Sequence, residues 1–193
     1  MSQECHSMLQ ECHNQVTKVP DLLTEWKRFS QFWRDMCLEK RSLISKTYCY
    51  PSSDGPGKAS DIFNYRNGTT SGTQETKGSW WCIDLGKNYL LGITHYALRH
   101  GRSDGESILR QWQLQGSTDA KSWTKLETSI KRDNPNDPPP FRDPHPFVTG
   151  TWPVEDKAGV FRFFRILQTG RNSSGRYGIF LSGVELYGIL LDV

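Results

Sequence analysis

The sequence predicts an all-β protein, a sandwich or jelly roll preceded by one amphipathic helix. Three observations lead there. From Trp80 onward short apolar runs alternate with polar residues and are separated by turn residues, with no helical period between them. Six of the ten prolines fall between Lys131 and Pro146, which marks a long exposed loop rather than a sheet interior. A helical stripe is confined to residues 21–39. Short strands without intervening helices are the pattern of sandwiches and jelly rolls.

The elements follow in order. Residues 1–20 form a flexible or helical lead-in that repeats QECH, placing Cys5 over Cys12 and His6 over His13 on a helix of seven-residue period. Two Cys-His pairs in a fraying tail make a poor metal site, because zinc needs four ligands held by a closed fold. In residues 21–40 Leu22, Trp26, Phe29, Trp33 and Met36 recur at spacings of four and three, with Pro20 and Asp21 marking the helix start. Residues 41–193 form the β domain. Residues 51–79 are rich in Gly, Ser, Thr, Asp and Asn and read as loops. Strands are expected at 80–84, 93–100, 111–117, 124–129, 161–168 and 182–188. In the fifth of these, Phe161, Phe163 and Arg165 face one side and Arg162, Phe164 and Ile166 the other. Gly86, Gly101, Gly105 and Gly116 fall at strand ends, where turns often require positive φ.

Composition narrows the function. The 193 residues carry 24 Lys and Arg against 21 Asp and Glu, a net charge of +3 that gives no argument for nucleic acid. No apolar run reaches the roughly 20 residues of a membrane helix, and residues 1–20 lack the apolar centre of a signal peptide. Five cysteines, none after Cys82, do not suit a secreted disulfide framework. The sequence therefore points to the cytosol or nucleus, with no membrane or nucleic-acid partner, and it implies no cofactor. Calcium binding needs an oxygen-rich loop, and Asp54, Asp61 and Asn64 are the oxygen ligands available for it. Gly101-Arg102-Ser103-Asp104-Gly105 fits the G-x-S-x-G nucleophile elbow. That motif needs a helix after the serine, and only seven residues separate Gly105 from Trp112. Catalytic residues are expected to be none.

Particular motifs then become recognisable. Trp81-Cys82-Ile83-Asp84-Leu85-Gly86 resembles the W-x-I/V-D-L-G strand of discoidin-type domains, the galactose-binding-like jelly rolls. Trp112-Gln113-Leu114-Gln115-Gly116-Ser117-Thr118-Asp119, followed by Trp123 and Leu126, is similar to that family's W-x-L-x-G-S-x-D signature. Phe163–Ile166 and the closing Leu181–Gly188 also fit, so the resemblance covers about residues 45–190. Leu98-Arg99-His100-Gly101-Arg102 with Gly105, Ser107, Leu109, Arg110 and Trp112 resembles a run in the discoidin-like domain of HECT-type ubiquitin ligases. Thr151-Trp152-Pro153 and Gln168–Gly175 resemble the same branch. The resemblance implies a non-enzymatic intracellular protein-recognition module that binds a ubiquitination substrate or a ligase subunit. It also leaves carbohydrate binding open. The terminal disulfide of secreted relatives is impossible here, because no cysteine follows Cys82.

In a sandwich the loops gather at two ends, and the resemblance places three of them together. The candidate partner-binding rim therefore joins Asn64, Tyr65, Arg66 and Asn67 with Arg99, His100 and Arg102, and with Ser174, Arg176 and Tyr177. Guanidinium groups there would grip carboxylates, and the tyrosines would pack on a peptide or a sugar. The alternative is that Arg99 and Arg110 pair with local acids such as Asp104 or Glu106 and merely hold the loop.

Overall fold

Alternation drives the chain into two sheets. The computed structural model describes residues 47–63, 70–126, 147–154 and 159–193, and the helix expected at 21–39 lies outside them, as do Asn64–Asn67. Among the described residues are ten strands: β1 (Tyr48–Pro51), β2 (Ser71–Gly72), β3 (Trp80–Asp84), β4 (Tyr89–His100), β5 (Trp112–Ser117), β6 (Thr124–Lys125), β7 (Thr149–Pro153), β8 (Val160–Phe161), β9 (Phe163–Gln168) and β10 (Phe180–Asp192). A 3-10 helix spans Ala59–Phe63. One sheet runs β1-β3-β9-β5-β6, and the other runs β2-β10-β4-β7 with β8 also paired to β4. Every pairing is antiparallel. This is the β-sandwich that the sequence predicts.

The interior is built by alternate residues of the two sheets. In β5 Trp112 and Leu114 point inward, and in β9 Phe164, Ile166 and Gln168 do. Tyr96 and Leu98 of β4 and Trp152 of β7 meet them from the opposite sheet. Trp112 Nε1–H donates to the Tyr96 hydroxyl at 3.0 Å, while the Trp152 ring lies 5.0 Å from Trp112 and 5.4 Å from Tyr96. Full burial of a large apolar side chain contributes about 1.5–3 kcal/mol, so this aromatic junction is a main tie between the sheets.

The structure divides the strand expected at 161–168. Phe161 pairs with Leu91 in one sheet, whereas Phe163 pairs with Asp84 in the other. The chain changes sheets at Arg162. Its guanidinium forms a fork on Asp84, with Nε–Oδ1 at 2.7 Å and Nη2–Oδ2 at 2.8 Å, and covers the Phe163 ring at 4.5 Å. Asp84 also accepts the Gly86 N–H at 2.8 Å, so one carboxylate fixes both the crossing and the turn into β4. Burial alone would raise the Asp84 pKa. The hydrogen bonds from Arg162 and Gly86 and the Arg162 charge outweigh it and hold the group below its usual value.

The glycines act for two different reasons. Gly86 and Gly105 have φ of 88° and 68°, the left-handed region expected of turns. Gly101 and Gly116 do not share it. A Cβ on Gly101 would stand 2.7 Å from the Leu181 backbone, and one on Gly116 would stand 2.6 Å from the Phe161 ring. Those two are small because another part of the chain comes close.

Candidate functional site

Three connections meet at the end of the sandwich where β4 finishes and β10 begins. They are the β2–β3 turn, the β4–β5 loop and the β9–β10 loop. Asn172 shapes the last of these. Its buried Oδ1 accepts the N–H groups of Ser174 and Arg176, both at 3.1 Å, and its own N–H donates to the Arg176 carbonyl at 2.8 Å. Gly175 turns the loop with φ 72°. The β4–β5 loop is tied to it by Ser107 N–H donating to Ser174 Oγ and Ile108 N–H to Ser173 Oγ, each at 2.9 Å. Gly178 N–H donates to Gln168 Oε1 at 2.8 Å, and a Cβ on Gly178 would lie 3.6 Å from the Gln74 carbonyl oxygen. The β2–β3 turn therefore rests directly on the β9–β10 loop.

Against that frame the expected residues divide. Arg99 donates from Nε to Ser182 Oγ at 3.0 Å and from Nη2 to the Ser182 carbonyl at 2.8 Å, lying across β10 over Gly183. It braces the sheet through Ser182. His100 points into the sandwich at 1% exposure, so it cannot reach a ligand at the rim. Burial lowers its pKa, partly offset by the nearby Glu106 carbonyl and the Asp104 charge. Its ring nitrogens find no well-formed hydrogen bond. The two residues part because β4 alternates: Tyr96, Leu98 and His100 face in, and Arg99 faces out onto β10.

Arg102 lies in the β4–β5 loop, and Ser174, Arg176 and Tyr177 lie in the β9–β10 loop that is tied to it. Arg102 donates from Nε to Asp104 Oδ1 at 3.0 Å and from Nη2 to Oδ2, and stacks 5.3 Å above the Phe180 ring. Asp104 also accepts the Glu106 N–H at 3.0 Å, and the Arg102 hydrogen bonds hold its carboxyl well below the usual carboxylate range. Arg102 is thus a post locked to its own loop. Arg176 is 63% exposed and reaches Glu75 Oε1 at 3.4 Å. Arg171 sits 5.2 Å above the Tyr177 ring and donates to the Gly175 carbonyl at 2.5 Å. Ser174 spends its hydroxyl oxygen on Ser107.

Sequence reasoning paired Arg99 and Arg110 with local acids, whereas the pair is Arg102 with Asp104. It also missed Glu75 and Arg171. A carboxylate two residues after an arginine in a Gly-flanked turn is a usable signal for the first. Glu75 lies 101 positions from its partner, and nothing local announces it. Ser103 of the G-x-S-x-G pattern is exposed on the bend between β4 and β5, and no helix follows it among the described residues. Among those residues no group of three or more His, Cys, Asp or Glu could hold a metal, and no helix is long and apolar enough to cross a membrane.

Comparison with known proteins agrees with this architecture. Residues 53–139 match the family model of the NedA-like, galactose-binding domain. The chain is 37% identical over 151 residues to the E3 ubiquitin-protein ligase hecd-1 of Caenorhabditis elegans, covering 77% of this chain and 5% of that protein. It is 40% identical over 125 residues to the E3 ubiquitin-protein ligase Ufd4 of Drosophila melanogaster, covering 63% of this chain and 4% of that protein. Both ligases are thus many times longer than the segment they share with it. Among solved structures, CpGH89CBM32-5 from Clostridium perfringens, in complex with GalNAc-β-1,3-galactose, superposes with a TM-score of 0.56 at 13% identity, covering 76% of this chain and 98% of that one. The family 32 CBM of C. perfringens NanJ, in complex with galactose, gives 0.55 at 11% identity, covering 75% and 95%. The chain has a galactose-binding-like β-sandwich fold, matches a discoidin-type family model over residues 53–139, and is similar in sequence to a segment of E3 ubiquitin-protein ligases.

Proposed function

We propose that the chain is a non-enzymatic protein-recognition module of ubiquitin-ligase machinery, and that it grips its partner at the rim formed by Arg102, Arg171, Ser174, Arg176 and Tyr177. The observation that carries the reading is the similarity, over three quarters of the chain, to a segment of an E3 ubiquitin-protein ligase. The rim supports it chemically. Buried side chains such as Asn172 fix the loops, while Arg176 and Arg171 stand in solvent. Rigid mounting lowers the entropy lost when a contact forms. Asn64–Asn67 belong to the same proposal on the resemblance alone. The intracellular setting and the identity of the partner, as substrate or ligase subunit, are part of it too.

Carbohydrate binding is the second reading, favoured by the stacked Arg171–Tyr177 pair at the loop end of the fold. One experiment separates the two. Tagged wild-type domain and Arg176→Ala are compared by quantitative capture from cytosol, and both are titrated with galactose and GalNAc-β-1,3-galactose. The reading expects a protein captured by wild type and depleted at least about tenfold with the variant, at unchanged melting temperature. Saturable sugar binding that Arg176→Ala abolishes, with no depleted protein, would replace it with the lectin reading.

A further inference from the structure

The ion pair between Arg176 and Glu75 joins two loops that are otherwise held without it. Arg176 is fixed at its backbone by Asn172, and Glu75 sits in a turn whose chain is anchored by Thr73 N–H on the Ile179 carbonyl at 3.1 Å and by Ser79 Oγ on the Thr76 carbonyl at 2.6 Å. The side chains themselves are 63% and 52% exposed, and their single contact is 3.4 Å long. An exposed pair of that kind adds little to stability. Arg102 differs in every respect. It is held at two points by Asp104 and covered on one face by Phe180. Glu75 also adds to the field that favours the charged Arg102, so its carboxylate stands in the field of both guanidinium groups.

An arginine fixed at its backbone, whose exposed side chain meets one carboxylate in a single 3.4 Å contact, is an arrangement that a competing carboxylate can enter. We infer that Glu75 occupies the place of a partner carboxylate, and that the partner segment is acidic and binds by displacing Glu75 from Arg176. This rests on the recognition reading above and specifies its chemistry. The incoming carboxylate exchanges one for one with Glu75, so no unpaired charge is left: Glu75 returns to solvent and Arg176 keeps an anionic partner. Affinity is then the difference between two ion pairs, and Glu75 acts as a built-in competitor that screens out weakly acidic or neutral sequences.

The test uses two fluorescein-labelled octapeptides, Gly-Ser-Tyr-Glu-Asp-Glu-Ser-Gly and the same peptide with every acid replaced by its amide. Fluorescence anisotropy is read with wild type, Glu75→Gln, Glu106→Gln and Arg176→Gln. Glu106 is a second exposed acid of the β4–β5 loop with no bond to Arg176, so it reports the general effect of removing negative charge. Glu75→Gln should bind the acidic peptide about two- to fivefold more tightly than wild type, the range of one exposed ion pair. Glu106→Gln should gain clearly less, Arg176→Gln should lose at least about tenfold, and the amide peptide should bind none of them. Glu75→Gln should also melt within about a degree of wild type. Equal gains in Glu75→Gln and Glu106→Gln would reduce the effect to net charge and overturn the inference. So would unchanged or weaker binding by Glu75→Gln, or no binding of the acidic peptide by any protein. Loss with Arg176→Gln but no gain with Glu75→Gln removes only the competitor and leaves recognition at the rim. Binding that neither substitution alters removes the rim itself.

Discussion

Replacing Asp84 by Asn should cost about 2 kcal/mol of folding stability without touching recognition. The fork from Arg162 supplies two charge-assisted hydrogen bonds of 2.7 and 2.8 Å, and the side chains are 31% and 13% exposed for Arg162 and Asp84. Net contributions of hydrogen bonds to charged groups run about 1.5–3 kcal/mol, and breaking a fully buried pair costs about 3–5 kcal/mol. Partial exposure lowers the figure. So does the asparagine Oδ1, which still accepts one of the donors now shared by Asp84. A loss of about 2 kcal/mol in a domain of this size lowers the melting temperature by roughly 4–8 °C.

Tryptophan fluorescence on heating would measure it for wild type, Asp84→Asn, Arg162→Gln and the double variant. A coupling energy of about 1 kcal/mol or more between the two positions is expected. The pH dependence has a definite sign. The folded pKa of Asp84 is depressed, so its stabilisation is complete above the unfolded carboxylate value of about 3.9 and is lost as pH falls through the folded value. The gap between wild type and Asp84→Asn should therefore close below about pH 4. Additive single losses, or a gap that widens in acid, would refute the role given to this pair. Asp84 pairs with Phe163 at the start of β9, whereas the rim follows the end of β9 at Gln168, so peptide binding should be unchanged.

Two further outcomes are expected. Gly101→Ala should destabilise the domain by about 1–3 kcal/mol in denaturant titration, because its Cβ would press on the Leu181 backbone, and a neutral effect would mean that β4 and β10 part without cost. Cys82, with burial pushing its thiol up to about 11, and the still more strongly raised Cys49 should react slowly with a disulfide reagent at pH 8 until denaturant is added, and rapid native labelling would show that β1 opens.

The fold was legible because its strands carry their own signals. Trp112–Ser117 alternates large apolar residues with polar ones, Trp80–Asp84 is a short apolar run closed by Asp84, and the structure places both within a residue of expectation. Short or flat strands carry no such signal. Ser71–Gly72 has two residues and is a strand only because Phe180 and Leu181 lie beside it, a tertiary effect. Thr149–Pro153 contains glycine and proline, which speak against a strand. It is the edge of its sheet, where proline is tolerated, and Trp152 secures it from within. The break at Arg162 was hidden because alternation simply continues across it, while the pairing partner changes from Leu91 to Asp84.

The site was legible only to the level of loops. Sequence reasoning could place Arg99, His100 and Arg102 near a turn, but three neighbouring residues on a strand end point in different directions. Alternation sends His100 inward and Arg99 across β10, and leaves Arg102 beyond the strand, where Asp104 can hold it. What makes Arg176 the outstanding cation is equally invisible in a linear reading. Asn172, four residues earlier, spends its side chain entirely on the loop backbone, so the loop needs no help from the arginine. Asn172, Asp104 and the serine pair Ser173 and Ser174 tie the loops at this end, and under the inference above the Arg176 guanidinium is left to exchange one carboxylate for another. Substituting the first group should unfold or loosen the loops, whereas substituting Arg176 should change only what the rim can hold.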